Sequence, residues 1–263
     1  MMRLIVTKRV SLLLCLCASG MWYYTTVYAS ESISRKFEPN ATLIISPAYA
    51  ARFPLVHLAD RFGFGNQVSL GVFYKFQNNW LIGAEGGFLF GSRVHEGYVT
   101  DYISTSQGQF ISQDNRLLNV RPQLRGFDFF FRFGRVFPLN EKFPDAGLLV
   151  VAGAGFLQHK IALDARENLL PQLSKIYRKG YDRLCNGPAL SLLTGGLFLD
   201  RKKLYSFYGG VQLDAAYTQN RRPFDFYEQR KLNEKRIDMS IGFRLGWVLP
   251  IYQHASEKEY FYY

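Results

Sequence analysis

Four histidines, three cysteines and a scatter of carboxylates are the groups in this 263-residue chain that could carry covalent or acid–base chemistry. A lipid-modifying hydrolase or acyltransferase needs a nucleophile within hydrogen-bond reach of a base, and a third group to hold that base. His57 stands three residues before Asp60 and His95 stands beside Glu96, so His57, Asp60 and His95 are the first residues to test for such a role. His159 ends a strand-like segment and His254 falls in the C-terminal tail. No Gly-x-Ser-x-Gly elbow accompanies any of them, and a His-x-x-Asp spacing is a very weak signal, so the expectation is no catalytic residue. No His or Cys pair has zinc spacing and no loop repeats calcium ligands, so neither a metal nor a cofactor is expected.

The elements that would position any such group follow from composition and patterning. The chain is 16% aromatic, with 23 Gly and 23 Phe, yet its mean hydropathy is only −0.09. That is too polar for a bundle of membrane helices, and it suits strands with lipid on one side and a polar lumen on the other. Residues 1–29 read as an export signal: Arg3, Lys8 and Arg9 precede an uncharged apolar run from Val10 to Trp22, with Val27-Tyr28-Ala29 before the cleavage point. Cys15 and Cys17 each follow a leucine, which excludes a lipoprotein box. Removing the signal leaves Cys185 alone, so no internal disulfide forms. It also leaves 29 basic against 21 acidic residues, a net +8. For an exported chain that charge points to lipid phosphates and not to nucleic acid.

No later stretch is long and apolar enough for a membrane helix. What recurs is period two. Ile237, Met239, Ile241, Phe243, Leu245, Trp247, Leu249 and Ile251 occupy one face of the last strand, with Asp238, Ser240, Gly242, Arg244 and Gly246 opposite. Similar alternation runs through Val68–Lys75, Trp80–Phe90, Gly126–Gly134 and Tyr205–Thr218. Segments 42–53, 147–160 and 188–200 are strand-like and richer in Ala, Gly and Leu, which makes eight strands in all. The connections alternate in length. Those at 77–79, 138–146 and 200–203 are short, whereas 54–66, 91–122, 161–187 and 219–235 are long, as periplasmic turns and external loops must be. The expected fold is an all-β transmembrane antiparallel up-and-down barrel over residues 42–252. A periplasmic segment at 30–41 precedes it and a tail at 253–263 follows, ending in the aromatic run Tyr260-Phe261-Tyr262-Tyr263.

Alternation sends Arg52, Lys75, Glu85, Asp128, Arg132, Asp214, Asp238 and Arg244 inward, four basic and four acidic. An eight-stranded barrel is only wide enough for side chains to fill it. Mixed signs therefore predict a salt-bridged plug in place of an ion-selective lining. Two long loops carry excess positive charge, and Arg178, Lys179, Arg183, Arg221, Arg222 and Arg230 are the candidate contacts to lipopolysaccharide phosphate or to a protein partner. Leu169, Leu173 and Ile176, at helical spacing, suggest a short packed helix over the barrel mouth.

Several pieces of the chain carry a likeness to a known group: Leu58-Ala59-Asp60-Arg61-Phe62-Gly63, Gly153-Ala154-Gly155-Phe156-Leu157-Gln158-His159-Lys160, Lys179-Gly180-Tyr181-Asp182-Arg183-Leu184, Thr218-Gln219-Asn220-Arg221-Arg222, and the closing run from Gly242 to Tyr252. Through them the chain resembles small Bacteroidota outer-membrane β-barrel proteins of unknown function. That resemblance implies the fold and an outer-membrane location, and it implies no activity. Cys185 stands where that group suggests a Thr or similar small polar residue, so its thiol is read as incidental. The favoured function is a structural or protein-interaction role in the cell envelope, as an accessory of a machine such as type IX secretion or barrel assembly. A small-solute channel is the alternative, and a lipid A-modifying enzyme the second alternative. The expected partners are outer-membrane lipids, lipopolysaccharide and envelope proteins.

Overall fold

The computed structural model describes residues 41–139, 146–163, 170–199 and 206–252. The signal segment, the tail with His254, and the loop residues Asp164, Arg166, Glu167 and Leu169 lie outside them. Alternating segments fold as β1 (Thr42–Val56), β2 (Gly65–Lys75) and β3 (Trp80–Gly91). A two-residue hairpin follows, β4 (Phe110–Ile111) with β5 (Leu117–Leu118). Next come β6 (Pro122–Pro138), β7 (Gly147–Leu163), β8 (Cys185–Phe198), β9 (Phe207–Asn220), β10 (Lys235–Trp247) and β11 (Leu249–Tyr252).

Antiparallel neighbours run β1-β2-β3-β6-β7-β8-β9-β10, and the ring closes where β1 pairs both β10 and β11. Ala48–Val56 face Gly246–Asp238 residue for residue, and Thr42–Ile45 face Tyr252–Leu249. The fold is therefore an eight-stranded up-and-down barrel whose last strand breaks once, at Val248, where the backbone N–H turns to the carbonyl of Ser206 at 2.9 Å. Closure satisfies strand backbone groups that hydrocarbon could not solvate. β7 continues to Leu163 and β8 begins at Cys185, each three residues beyond the sequence expectation. Cross-strand pairing carried both strands past the point where alternation fades.

The outer wall is a belt of exposed apolar side chains that water would not tolerate on a monomer. Phe127, Phe129, Phe131 and Phe133 stand outward on β6, as do Leu190 and Leu192 on β8 and Ile241, Phe243 and Leu245 on β10. Aromatic rings mark its rims: Trp80 stacks on Phe133 at 4.8 Å near the short-turn end, and Phe53 meets Phe64 at 5.2 Å near the long loops. Outward apolar residues with aromatic rims and a polar interior are the architecture of an outer-membrane barrel.

Inside, three layers stack along the axis. An apolar plug of Ile44, Phe73, Leu81, Val136, Leu149, Leu193 and Leu197 fills the short-turn end. A polar layer occupies the middle. A second apolar cluster, with Leu58, Phe62, Phe110, Leu124, Ile161 and Leu173, closes the loop end. Tyr208 bridges the plug and the polar layer by lying flat over Gly246, its partner across β9 and β10. A Cβ at position 246 would sit 2.2 Å from that ring, so only glycine leaves the space.

Candidate functional site

The middle layer is one connected network. From β1, the Arg52 guanidinium crosses the lumen to Asp128 on β6 at 3.2 Å and to Asp214 on β9, and also donates to Ser240 and Gln67. Gln67 donates to the Asp128 carboxylate at 2.7 Å and Gln212 donates to Asp214 at 2.9 Å. Arg244 joins this group to the next by donating to Gln212 at 2.8 Å and to Ser69 at 2.6 Å while pairing with Glu85 at 2.7 Å. Glu85 also holds Arg132 at 3.0 Å, and Arg132 donates to Ser191 at 3.0 Å. Arg244 further donates to the Tyr208 hydroxyl at 2.8 Å. Gly87 leaves room for this packing, since a Cβ there would meet Gln67 and Asp128 at 2.4 and 2.5 Å. Arg52, Glu85, Asp128, Arg132, Asp214, Asp238, Arg244 and Lys75 are all buried, Lys75 at the short-turn end of β2. Between plug and network lies a cavity of about 40 Å³, bordered by Glu85 and Arg132. That is room for a few water molecules at most.

Asp238 belongs to a smaller group nearer the loops. His159 Nε2 lies 2.8 Å from the Asp238 carboxylate, and the Thr218 hydroxyl donates to the same oxygen. His159 and Cys185 are direct partners across β7 and β8. Arg61, from the short helix α1 (His57–Arg61), places a guanidinium nitrogen 3.1 Å from the Cys185 sulfur.

Above this level the loops fold over the mouth. Arg61 also meets Glu96 at 2.9 Å, and the same carboxylate meets Arg183 at 3.2 Å and Arg236 at 3.9 Å. Arg183 continues to Asp225 at 2.8 Å, while Arg222 binds Asp182 with both ends of its guanidinium. Glu96 thus ties together the loops after β1, β3 and β7 and the start of β10. Burial alone would lower the Arg61 pKa, but the facing Cys185 and Glu96 outweigh it and hold it above the ordinary arginine value. Burial, assisted by Asp225, pushes the Tyr181 hydroxyl up.

The six loop bases separate into two sets. Arg183 is buried within the cap and Arg222 is half-buried against Asp182, so neither guanidinium stands free on the surface as the sequence suggested. The loops fold inward, and their own carboxylates take these two. Arg178 is half-buried, with a 3.4 Å bond to the Leu163 carbonyl. Lys179, Arg221 and Arg230 are exposed, Arg221 donating to Asn186 at 2.6 Å and Arg230 lying near Glu228 and Glu234 at 3.7 and 3.8 Å.

The helix expected over the mouth is a 3₁₀ turn, Pro171–Leu173, followed by α2 (Lys175–Arg178). Leu173 is buried there as expected, but Ile176 is 79% exposed, because the turn at Ser174 changes the helical phase between them. His57 and His95 both lie on the surface. Their Nδ1 atoms bond the carbonyls of Ile237 and Ala59 at 3.2 and 2.9 Å, and Asp60 is exposed. No group of three metal-ligating side chains occurs among the described residues.

Ser69, Gln212 and Ser240 sit on the polar phase that alternation marks for their strands, while Gln67 and Ser191 share that phase on β2 and β8 without having been singled out. Glu96, Arg61 and Asp225 carried no comparable signal, because nothing local says which loops will meet.

No protein-family model matches the chain, and no curated protein sequence matches it. Among solved structures, the chain is similar to Neisserial surface protein A at 12% identity and a TM-score of 0.42, over 80% of this chain and 97% of that one. It is similar to a major outer membrane protein from Thermus thermophilus at 12% identity and 0.38, over 78% and 98%. To the outer membrane protein OprG from Pseudomonas aeruginosa it is similar at 9% and 0.34, over 81% and 98%. The barrel class follows from ring closure and the apolar belt of this chain by themselves.

Proposed function

We propose that this protein is an outer-membrane barrel whose interior is a structural plug and whose loop cap is its working face, serving a protein-interaction role in the cell envelope. An accessory place in a secretion machine such as type IX, or in barrel assembly, fits that reading. The observation that carries it is the filled lumen: Asp128, Arg52, Asp214, Gln212, Arg244, Glu85 and Arg132 form an unbroken chain of contacts between two apolar layers. A solute path would have to break charge pairs that are strongly held in a low-dielectric interior. The exposed Lys179, Arg221 and Arg230 add a cationic rim suited to lipopolysaccharide phosphates.

Purified protein in a planar bilayer is expected to give no stable single-channel steps. Discrete steps that persist after the long loops are shortened would defeat the plug and favour the channel alternative.

A further inference from the structure

The four long loops rise a quarter-turn apart, so the one after β3 lies diametrically across the mouth from the one after β9. Yet Tyr102 of the former and Tyr227 of the latter bring their rings to 5.1 Å. Residues from opposite walls meet only over the axis, so this pair lies on top of the cap, away from the lipid belt. The aromatic line continues through Phe226, which meets Tyr177 of the loop after β7 at 6.4 Å and Phe224 at 5.8 Å. The line is open at Tyr102, 70% exposed, at Tyr177, 55%, and at the adjacent Ile176, 79%, while Phe226 and Tyr227 are half-buried between them. Phe226 also packs on buried Tyr181 at 5.2 Å, which anchors the ridge to the cluster beneath it.

Resting on the interaction role proposed above, we propose that this ridge of Tyr102, Tyr227, Phe226, Tyr177 and Ile176 docks a polypeptide segment that presents apolar side chains flanked by acidic ones. Tyr and Arg are the residues that anchor protein interfaces. The exposed bases of the loops after β7 and β9, Lys179, Arg221, Arg230 and Lys231, outnumber the exposed carboxylates next to the ridge, Asp101, Glu228 and Glu234, two of which lie near Arg230, so the excess charge complements an acidic rim. A second copy of the chain does not fit. Copies in one membrane point their caps the same way, and two basic rims repel. A bare polyanion does not fit either, because it leaves Ile176 and the rings uncovered.

The test is selection of random 12-residue displayed peptides on the full-length barrel in nanodiscs, with empty nanodiscs as background. Enriched peptides are expected to combine Asp or Glu with Phe, Tyr, Leu or Ile. They should bind Tyr102→Ser/Ile176→Ser/Tyr177→Ser protein at least tenfold more weakly, and Lys179→Glu/Arg230→Glu protein more weakly as well. These side chains are exposed, so the variants keep the fold, and a retained heat-sensitive gel shift verifies it. Peptides that bind the ridge variant unchanged would overturn the docking site and leave the interaction role standing. Purely acidic peptides displaced by polyglutamate, or no enrichment over empty discs, would overturn the proposed ligand class, while conductance alone decides the plug.

Discussion

Arg52→Ala is expected to destabilise the barrel by about 3–5 kcal/mol, the usual cost of removing one partner from a buried charge group. One guanidinium serves Asp128 and Asp214 together, and both carboxylates stay buried when it is gone. Their remaining donors, Gln67 and Gln212, are neutral amides that cannot replace its charge. The triple change Arg52→Met/Asp128→Leu/Asp214→Leu removes all three charges at similar volume, so it should cost far less than the single change. Urea unfolding of the barrel in lipid, compared at equal slope, reads both values through the midpoint. If Arg52→Ala lost under about 1 kcal/mol, the network would not be a tightly held plug.

The second large effect is expected at the cap. Glu96→Gln removes the carboxylate shared by Arg61, Arg183 and Arg236 and leaves three guanidiniums crowded around an amide. Hydrogen bonds to charged groups contribute about 1.5–3 kcal/mol, and each 1.4 kcal/mol is a factor of ten in population. The open form of the cap should therefore rise roughly 10- to 100-fold. Cys185 reports it, because the thiol is 3% exposed beneath Arg61. In a Cys15→Ser/Cys17→Ser background it is the sole thiol of the chain, so its maleimide reaction rate measures cap opening directly. Glu234, held below the usual carboxylate range by a hydrogen bond from Arg236 at the rim, is the control. Glu234→Gln should leave the rate near that of the parent, whereas equal acceleration by both changes would show that general charge, not the shared carboxylate, holds the cap.

How far the sequence reached depends on range. Alternation along one strand says which way a side chain points, so Arg52, Glu85, Asp128 and Arg244 were legible as inward residues. It is silent on partners. The Arg52–Asp214 contact joins residues 162 apart, and Arg52–Asp128 joins residues 76 apart. His159 looked like the end of a strand because alternation fades after it, yet β7 runs four residues further and carries it under the cap. Arg183 and Arg222 looked like outward contacts for lipopolysaccharide phosphate or a partner because charge counts along a loop carry no information about inward folding. The same ignorance placed Ile176 inside when it stands on the ridge. What was invisible, the meeting of Glu96 with three arginines and of Tyr102 with Tyr227, depends wholly on how separate loops cross one mouth.

All of this rests on the wall being immersed in hydrocarbon. A single tryptophan placed in turn at Ile237, Ile241, Phe243 and Leu245 of β10, with Trp22, Trp80 and Trp247 replaced by Phe, can be read by fluorescence quenching from lipids brominated at known depths. Quenching should be deepest at Phe243 and shallower at Ile237, which lies nearer the loop rim, with blue-shifted emission at all three outward positions of the belt. Water-like emission and weak, depth-independent quenching at Ile241, Phe243 and Leu245 would contradict the membrane barrel itself.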